Sequence, residues 1–135
     1  MIEDIIHPDY GTALKLRHRI LRESGEPNID DSFISEDNFR YVIETVQDIG
    51  NEEKSYRGAI IRKSAYTLYS LVRNHPFWDG NKRTAFAIAT FMLEANGFEL
   101  NVEKDESIKF VLEIAKGNLL LKDVEKWISN RVGKR

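Results

Sequence analysis

The chain has 135 residues, 41% hydrophobic and 31% charged, with a net charge of -2 and a pI near 5.9. That length and balance fit a single folded domain over residues 1–135 and exclude a disordered or fibrous chain, while the charge excludes the broad basic field of sequence-independent nucleic-acid binding. The absence of cysteine excludes disulfides, thiolate metal sites and cysteine nucleophiles.

From the N-terminus, Met1 to Leu21 interleaves Glu3, Asp4, Lys15, Arg17 and Arg19 with its apolar residues, so the uncharged core of a secretory signal is lacking. The longest apolar stretch, Ala85 to Leu93, is far short of the roughly 20 residues of a membrane span. The expectation is a cytoplasmic protein with no membrane and no nucleic acid among its partners.

Residues Asp9 to Glu23 predict a first helix carrying Leu14, Ile20 and Leu21, ending at Ser24-Gly25. Gly25 to Phe33 is rich in Gly, Pro, Asn and acidic residues and reads as an exposed loop, a flap that positions a target. Ser35 starts a second helix with the stripe Phe39, Val42, Ile43 and Val46, closed by Asp48 to Glu53.

A third helix runs from Tyr56 to Asn74 and must stop before Pro76, because the proline ring disfavours the α conformation at His75; an extended backbone is expected there. Thr84 to Asn96 is apolar nearly all round and reads as a central buried helix capped by Gly97. Leu100 to Glu103 reads as an extended link, and Glu106 to Lys116 and Lys122 to Arg131 as two further amphipathic helices. The sequence contains no convincing strand pair. The expected fold is all-α, about six helices around the central one.

The chemistry concentrates ahead of that central helix, where His75, Phe77, Asp79, Gly80, Asn81, Lys82, Arg83 and Thr84 fall within ten residues. A helix N-terminus carries about half a positive charge, so Lys82 and Arg83 in its first turn are unfavourable unless an anion neutralises them. Gly80 permits close backbone approach, and the free N–H groups of the first turn complete a phosphate cradle. Asp79 beside bound phosphates suits Mg²⁺, which commonly bridges a carboxylate and a nucleotide. His75 has the only side chain in the segment whose ordinary pKa suits accepting a proton near neutrality. Taken singly, each has an ordinary use: His75 satisfied by a carbonyl, Asp79 as an N-cap, Phe77 and Trp78 in the core or at its boundary, Lys82 and Arg83 as a solvated pair. His7 and His18 read as surface residues. The combination carries the reading.

The segment His75-Pro76-Phe77-Trp78-Asp79-Gly80-Asn81-Lys82-Arg83-Thr84-Ala85 resembles the signature of the Fic/Doc family. The resemblance extends from Gly25-Glu26-Pro27 to Asn96-Gly97. It implies an all-helical fold and a transferase using ATP and Mg²⁺. By it, His75 is the base, Phe77 the buried anchor of the loop, Asp79 the metal ligand, and Gly80, Asn81, Lys82 and Arg83 the anion-binding loop.

Two chemistries occur in the family. The AMP-transferring branch has a glycine where Lys82 stands and an arginine where Phe86 stands. The Asn81-Lys82-Arg83 form resembles the Doc-like toxin branch, which implies phosphorylation of a Ser/Thr hydroxyl on a protein target such as a translation elongation factor. Pro76 and Gly80 look closer to the AMP-transferring branch, so protein adenylylation remains the alternative. Thr90 to Glu94 has the spacing of the family's inhibitory motif, but Ala95 follows and the segment lies within the central helix. The resemblance therefore implies a separate antitoxin peptide. A helical interaction module without turnover is the non-enzymatic reading. A metal-dependent phosphohydrolase lacks its His-Asp cluster, and a P-loop its Gly-Lys-Ser/Thr.

Overall fold

The structure is a computed structural model describing residues 2–25 and 33–135. After a 3₁₀ turn at Ile2–Asp4 come α1 (Tyr10–Glu23), α2 (Glu36–Thr45), a second 3₁₀ turn at Val46–Asp48, α3 (Tyr56–Asn74) and α4 (Asn81–Glu94). Strand β1 (Phe98–Leu100), α5 (Lys104–Ala115), α6 (Leu121–Ser129) and β2 (Val132–Lys134) complete the chain. The fold is all-α apart from one small antiparallel ribbon.

The first three helices start where a side chain satisfies an orphan N–H. Asp9 accepts from Thr12 N–H at 2.8 Å, Ser35 from Asn38 N–H at 3.2 Å and Ser55 from Gly58 N–H at 2.9 Å. Helix α4 begins differently, at Asn81 rather than at the expected Thr84, with Gly80 as a cap that offers no side chain. It ends at Glu94 with Ala95 as C-cap. Gly97, expected as the cap, instead takes the left-handed conformation two residues on and turns the chain into β1.

The ribbon pairs Phe98 with Lys134, Glu99 with Gly133 and Leu100 with Val132, correcting the expectation that no strands pair. Three residues per strand are too few for an alternating pattern to show in sequence.

The α3 and α4 helices lie against one another at the centre, with α1, α5 and β1 also on α4 and α2, α5 and α6 on α3. Their approach is close enough for Ser64 Oγ to donate to the Ala89 carbonyl at 2.9 Å. Ile60, Leu68, Leu71, Ile88, Met92 and Leu93 are almost wholly buried between the layers. Each contributes about 1.5–3 kcal/mol of transfer free energy. Phe98, Val111, Ile114, Val124 and Ile128 extend the same core into the C-terminal part.

Lys63 and His7 are basic side chains drawn into this frame. Lys63 is fully buried, and its Nζ donates to the carbonyls of Val46 and Gln47 at 3.1 and 2.9 Å, at the C-terminal end of α2 and its 3₁₀ extension. Burial pushes its pKa down, partly opposed by Asp48 and Glu52. His7 is half-buried, not on the surface as expected, because the buried Ile5 and Pro8 on either side press its segment onto the core. Asn96 secures that segment, accepting from Ile6 N–H at 2.7 Å and donating to Ile6 C=O at 2.9 Å. Desolvation lowers the His7 pKa and the nearby Lys63 charge lowers it further, against a raising hydrogen bond with the Ile5 backbone.

Candidate active site

Helix α3 delivers His75. The backbone there is left-handed, φ 48° and ψ 59°, not extended; His75 is the one non-glycine residue with positive φ among the described residues. Pro76 does exclude the right-handed helix at His75, but the left-handed region is the usual way to end a helix and turn the chain sharply. Holding a histidine there costs on the order of 1 kcal/mol or more and requires support from its surroundings. The side chain is exposed.

The support follows immediately. The Pro76 carbonyl accepts from Ile34 N–H at 2.8 Å and Ser35 N–H at 3.1 Å, and Phe33 and Phe77 form an antiparallel bridge. Phe77 has no exposed surface; its ring stacks on Phe33 with centroids 4.7 Å apart and meets Phe39 edge-on at 5.0 Å. The expected flap over Gly25 to Phe33 lies outside the described residues except at its ends, Gly25 and Phe33. Phe33 is thus fastened to the signature loop.

The Asn81 side chain is spent on the loop itself. Its Oδ1 accepts from Phe77 N–H at 2.9 Å and its Nδ2 donates to Phe77 C=O at 2.8 Å, and the residue is almost wholly buried. Only its backbone N–H remains for an anion. Gly80 is left-handed at φ 68°, and a Cβ there would stand 2.9 Å from Leu21 Cδ2 and 3.1 Å from Arg17 Nη1. The loop rests directly on α1, so glycine is required both by conformation and by space.

At the head of α4 there is no capping side chain and no acidic residue in the first turn, while Lys82 and Arg83 are exposed. The uncompensated N–H groups, the helix dipole and two cations therefore coincide. Asp79 is not the N-cap, a place taken by Gly80. Its side chain is 67% exposed, so a cation can reach it from solvent. A single carboxylate beside an uncapped, basic helix start fits Mg²⁺ held jointly with substrate phosphates, which needs no all-protein cage. Trp78, expected at the core or its boundary, is 64% exposed.

Sequence reasoning missed Arg17. It is fully buried on α1, its Nη1 donating to the Asp79 carbonyl at 3.0 Å and to Thr84 Oγ1 at 3.1 Å. Its Nη2 lies 3.5 Å from Asp79 Oδ1, and its guanidinium carbon lies 3.8 Å above the Phe77 ring. The signal was present: Ala13, Arg17 and Leu21 recur every four residues and are the buried face of α1, with an arginine where an apolar residue belongs.

Fold and site together define a helical protein whose signature loop, braced by a buried arginine, opens onto a doubly basic helix N-terminus. A family model described as Fic/DOC family matches residues 8–93, and the chain belongs to the Fic/DOC family. Over 43 residues, 32% of this chain, it is 51% identical to the Toxin Doc of Mycolicibacterium smegmatis; that stretch covers 33% of the relative's length. Among the described residues no helix is long and apolar enough to cross a membrane.

Proposed function

We propose that this protein is a toxin-type transferase that moves the γ-phosphoryl group of Mg-ATP to a Ser/Thr hydroxyl of a protein target. The observation that supports it best is the head of α4: a glycine-opened, uncapped turn bearing exposed Lys82 and Arg83 beside the exposed Asp79 carboxylate. The first-turn N–H groups with Lys82 and Arg83 grip the inner phosphates. Asp79 would hold Mg²⁺, which neutralises phosphate charge when bound. His75 takes the proton of the target hydroxyl on its imidazole as the hydroxyl oxygen bonds to the γ-phosphorus, the bond to ADP breaks and ADP leaves. Phosphoryl transfer needs positioning and charge neutralisation more than covalent help, which is what a rigid cradle supplies.

Lys82 and Phe86 favour this reading. Lys82 brings a side chain to the position where the AMP-transferring branch has glycine, and Phe86 is half-buried against the core, offering no cation that would hold a triphosphate in the reverse sense. Pro76 and Gly80 favour the second reading, AMP transfer from the α-phosphate. The test is ATP labelled separately at the two positions: γ-label on the target supports phosphorylation, whereas α-label makes the protein an adenylyltransferase. A third result, no rise in melting temperature with ATP and Mg²⁺ together, leaves a non-catalytic helical module.

The target is a protein, in keeping with a translation elongation factor, and the site of action is the cytoplasm. A separate antitoxin peptide restrains the enzyme. This rests on the likeness to Toxin Doc and on the position of the Thr90–Glu94 spacing inside α4 itself.

A further inference from the structure

Arg17 is unlike the other basic side chains of the site. Lys82 and Arg83 are exposed, whereas Arg17 is shielded from solvent beneath the loop. Burying a guanidinium is unfavourable unless its donors are satisfied and its charge is opposed. Four of its contacts reach the signature segment: the Asp79 carbonyl, the Asp79 carboxylate, Thr84 Oγ1 and the face of Phe77. Two of those four contacts fall on one residue, Asp79, whose carboxylate is otherwise exposed and unconfined.

A planar fork that donates to the backbone of Asp79 and also faces its side chain fixes the direction in which the carboxylate points. A carboxylate held on one oxygen by a buried cation keeps its second oxygen for solvent and for any ion there. We infer that Arg17 is a positioning residue that acts through Asp79 and sets the Mg²⁺ concentration at which the nucleotide site fills. The inference rests on the Mg-ATP reading above.

The experiment uses four full-length proteins: wild type, Arg17→Lys, Asp79→Asn and the double variant. Melting temperature is followed as MgCl₂ is titrated at fixed ATP, so the readout is binding rather than turnover. Lysine keeps the charge but cannot reach both parts of Asp79. Arg17→Lys is expected to raise the half-saturating Mg²⁺ about tenfold, the lower end of losses for groups that orient a metal ligand. In the Asp79→Asn background the same substitution should shift nothing further, whereas a purely structural arginine would lower the melting temperature equally in both backgrounds and leave the titration in place.

If Arg17→Lys is too unstable to titrate, Thr84→Val removes one acceptor of the same guanidinium and should move the midpoint in the same direction by a smaller factor. An unchanged midpoint in whichever variant is titrated overturns the inference while leaving the nucleotide site intact. A wild type whose melting ignores ATP and Mg²⁺ together removes the nucleotide reading itself, and this inference with it.

Discussion

Asn81 grips the Phe77 peptide unit from both sides, taking its N–H at 2.9 Å and giving to its C=O at 2.8 Å. One side chain thereby satisfies both backbone groups of a residue that has no exposed surface. Asn81→Ala leaves a buried donor and a buried acceptor unpaired, each costing about 1–3 kcal/mol. Thermal or urea unfolding should show that loss. Asn81→Asp keeps the acceptor but sets a carboxylate oxygen against the Phe77 carbonyl, so it should destabilise too. Wild-type stability in both variants would mean that the clasp is ornamental.

His75→Ala should leave the Mg-ATP-dependent rise in melting temperature intact while target modification falls by roughly 10²- to 10⁴-fold. The left-handed backbone adds a second, independent expectation. His75→Gly should be more stable than His75→Ala by about 1 kcal/mol, because glycine accepts φ 48° without strain and alanine does not. Equal stabilities would argue that the backbone relaxes when the imidazole is removed.

Asp79→Asn keeps the shape of the loop and the partner of Arg17 but removes the negative charge. Nucleotide binding should then lose most of its dependence on Mg²⁺, read as the difference between titrations with MgCl₂ and with EDTA. An unaltered titration would show that Mg²⁺ is held elsewhere.

Gly80→Ala places a methyl group 2.9 Å from Leu21 Cδ2 on a backbone at φ 68°. The combined cost is about 1–3 kcal/mol, and the cradle should deform with it. Combining it with Leu21→Ala relieves the crowding but not the conformational strain, so nucleotide binding should recover only in part. Complete recovery would assign the whole effect to the contact with α1.

The pH dependence of stability follows from His7. Its folded pKa lies below the ordinary 6.5, so the unfolded chain binds the proton more tightly. The contribution of His7 to stability is full above pH 6.5 and is lost as pH drops from there through the folded value. His7→Asn should flatten that part of the profile, measured as melting temperature from pH 8 to 5 against wild type. A parallel profile would mean that other groups carry the acid sensitivity.

The helices were legible because each writes a 3.6-residue pattern between recognisable stops: Tyr56–Asn74 is found at its expected bounds, and α1 lies within one residue of them. The signature residues were legible because they are contiguous. What escaped reading was whatever depends on distant segments meeting. Arg17 is an ordinary basic residue until α1 is laid under the loop, and β1 finds its partner only after two intervening helices. The His75 backbone escaped for another reason. Proline excludes one conformation without choosing between the two that remain. The role of Asn81 escaped because a side chain that folds back on its own loop has the same sequence signature as one that faces a ligand.

The exposed Trp78 has a practical consequence. The chain contains two tryptophans, and the other, Trp127, is stacked on Phe110 with ring centroids 3.9 Å apart and planes 6° apart. Trp127→Phe retains that pair of rings and leaves Trp78 as the sole indole, beside Asp79. Its emission wavelength and its quenching by iodide or acrylamide then become an optical record of the loop, readable in real time and without a label.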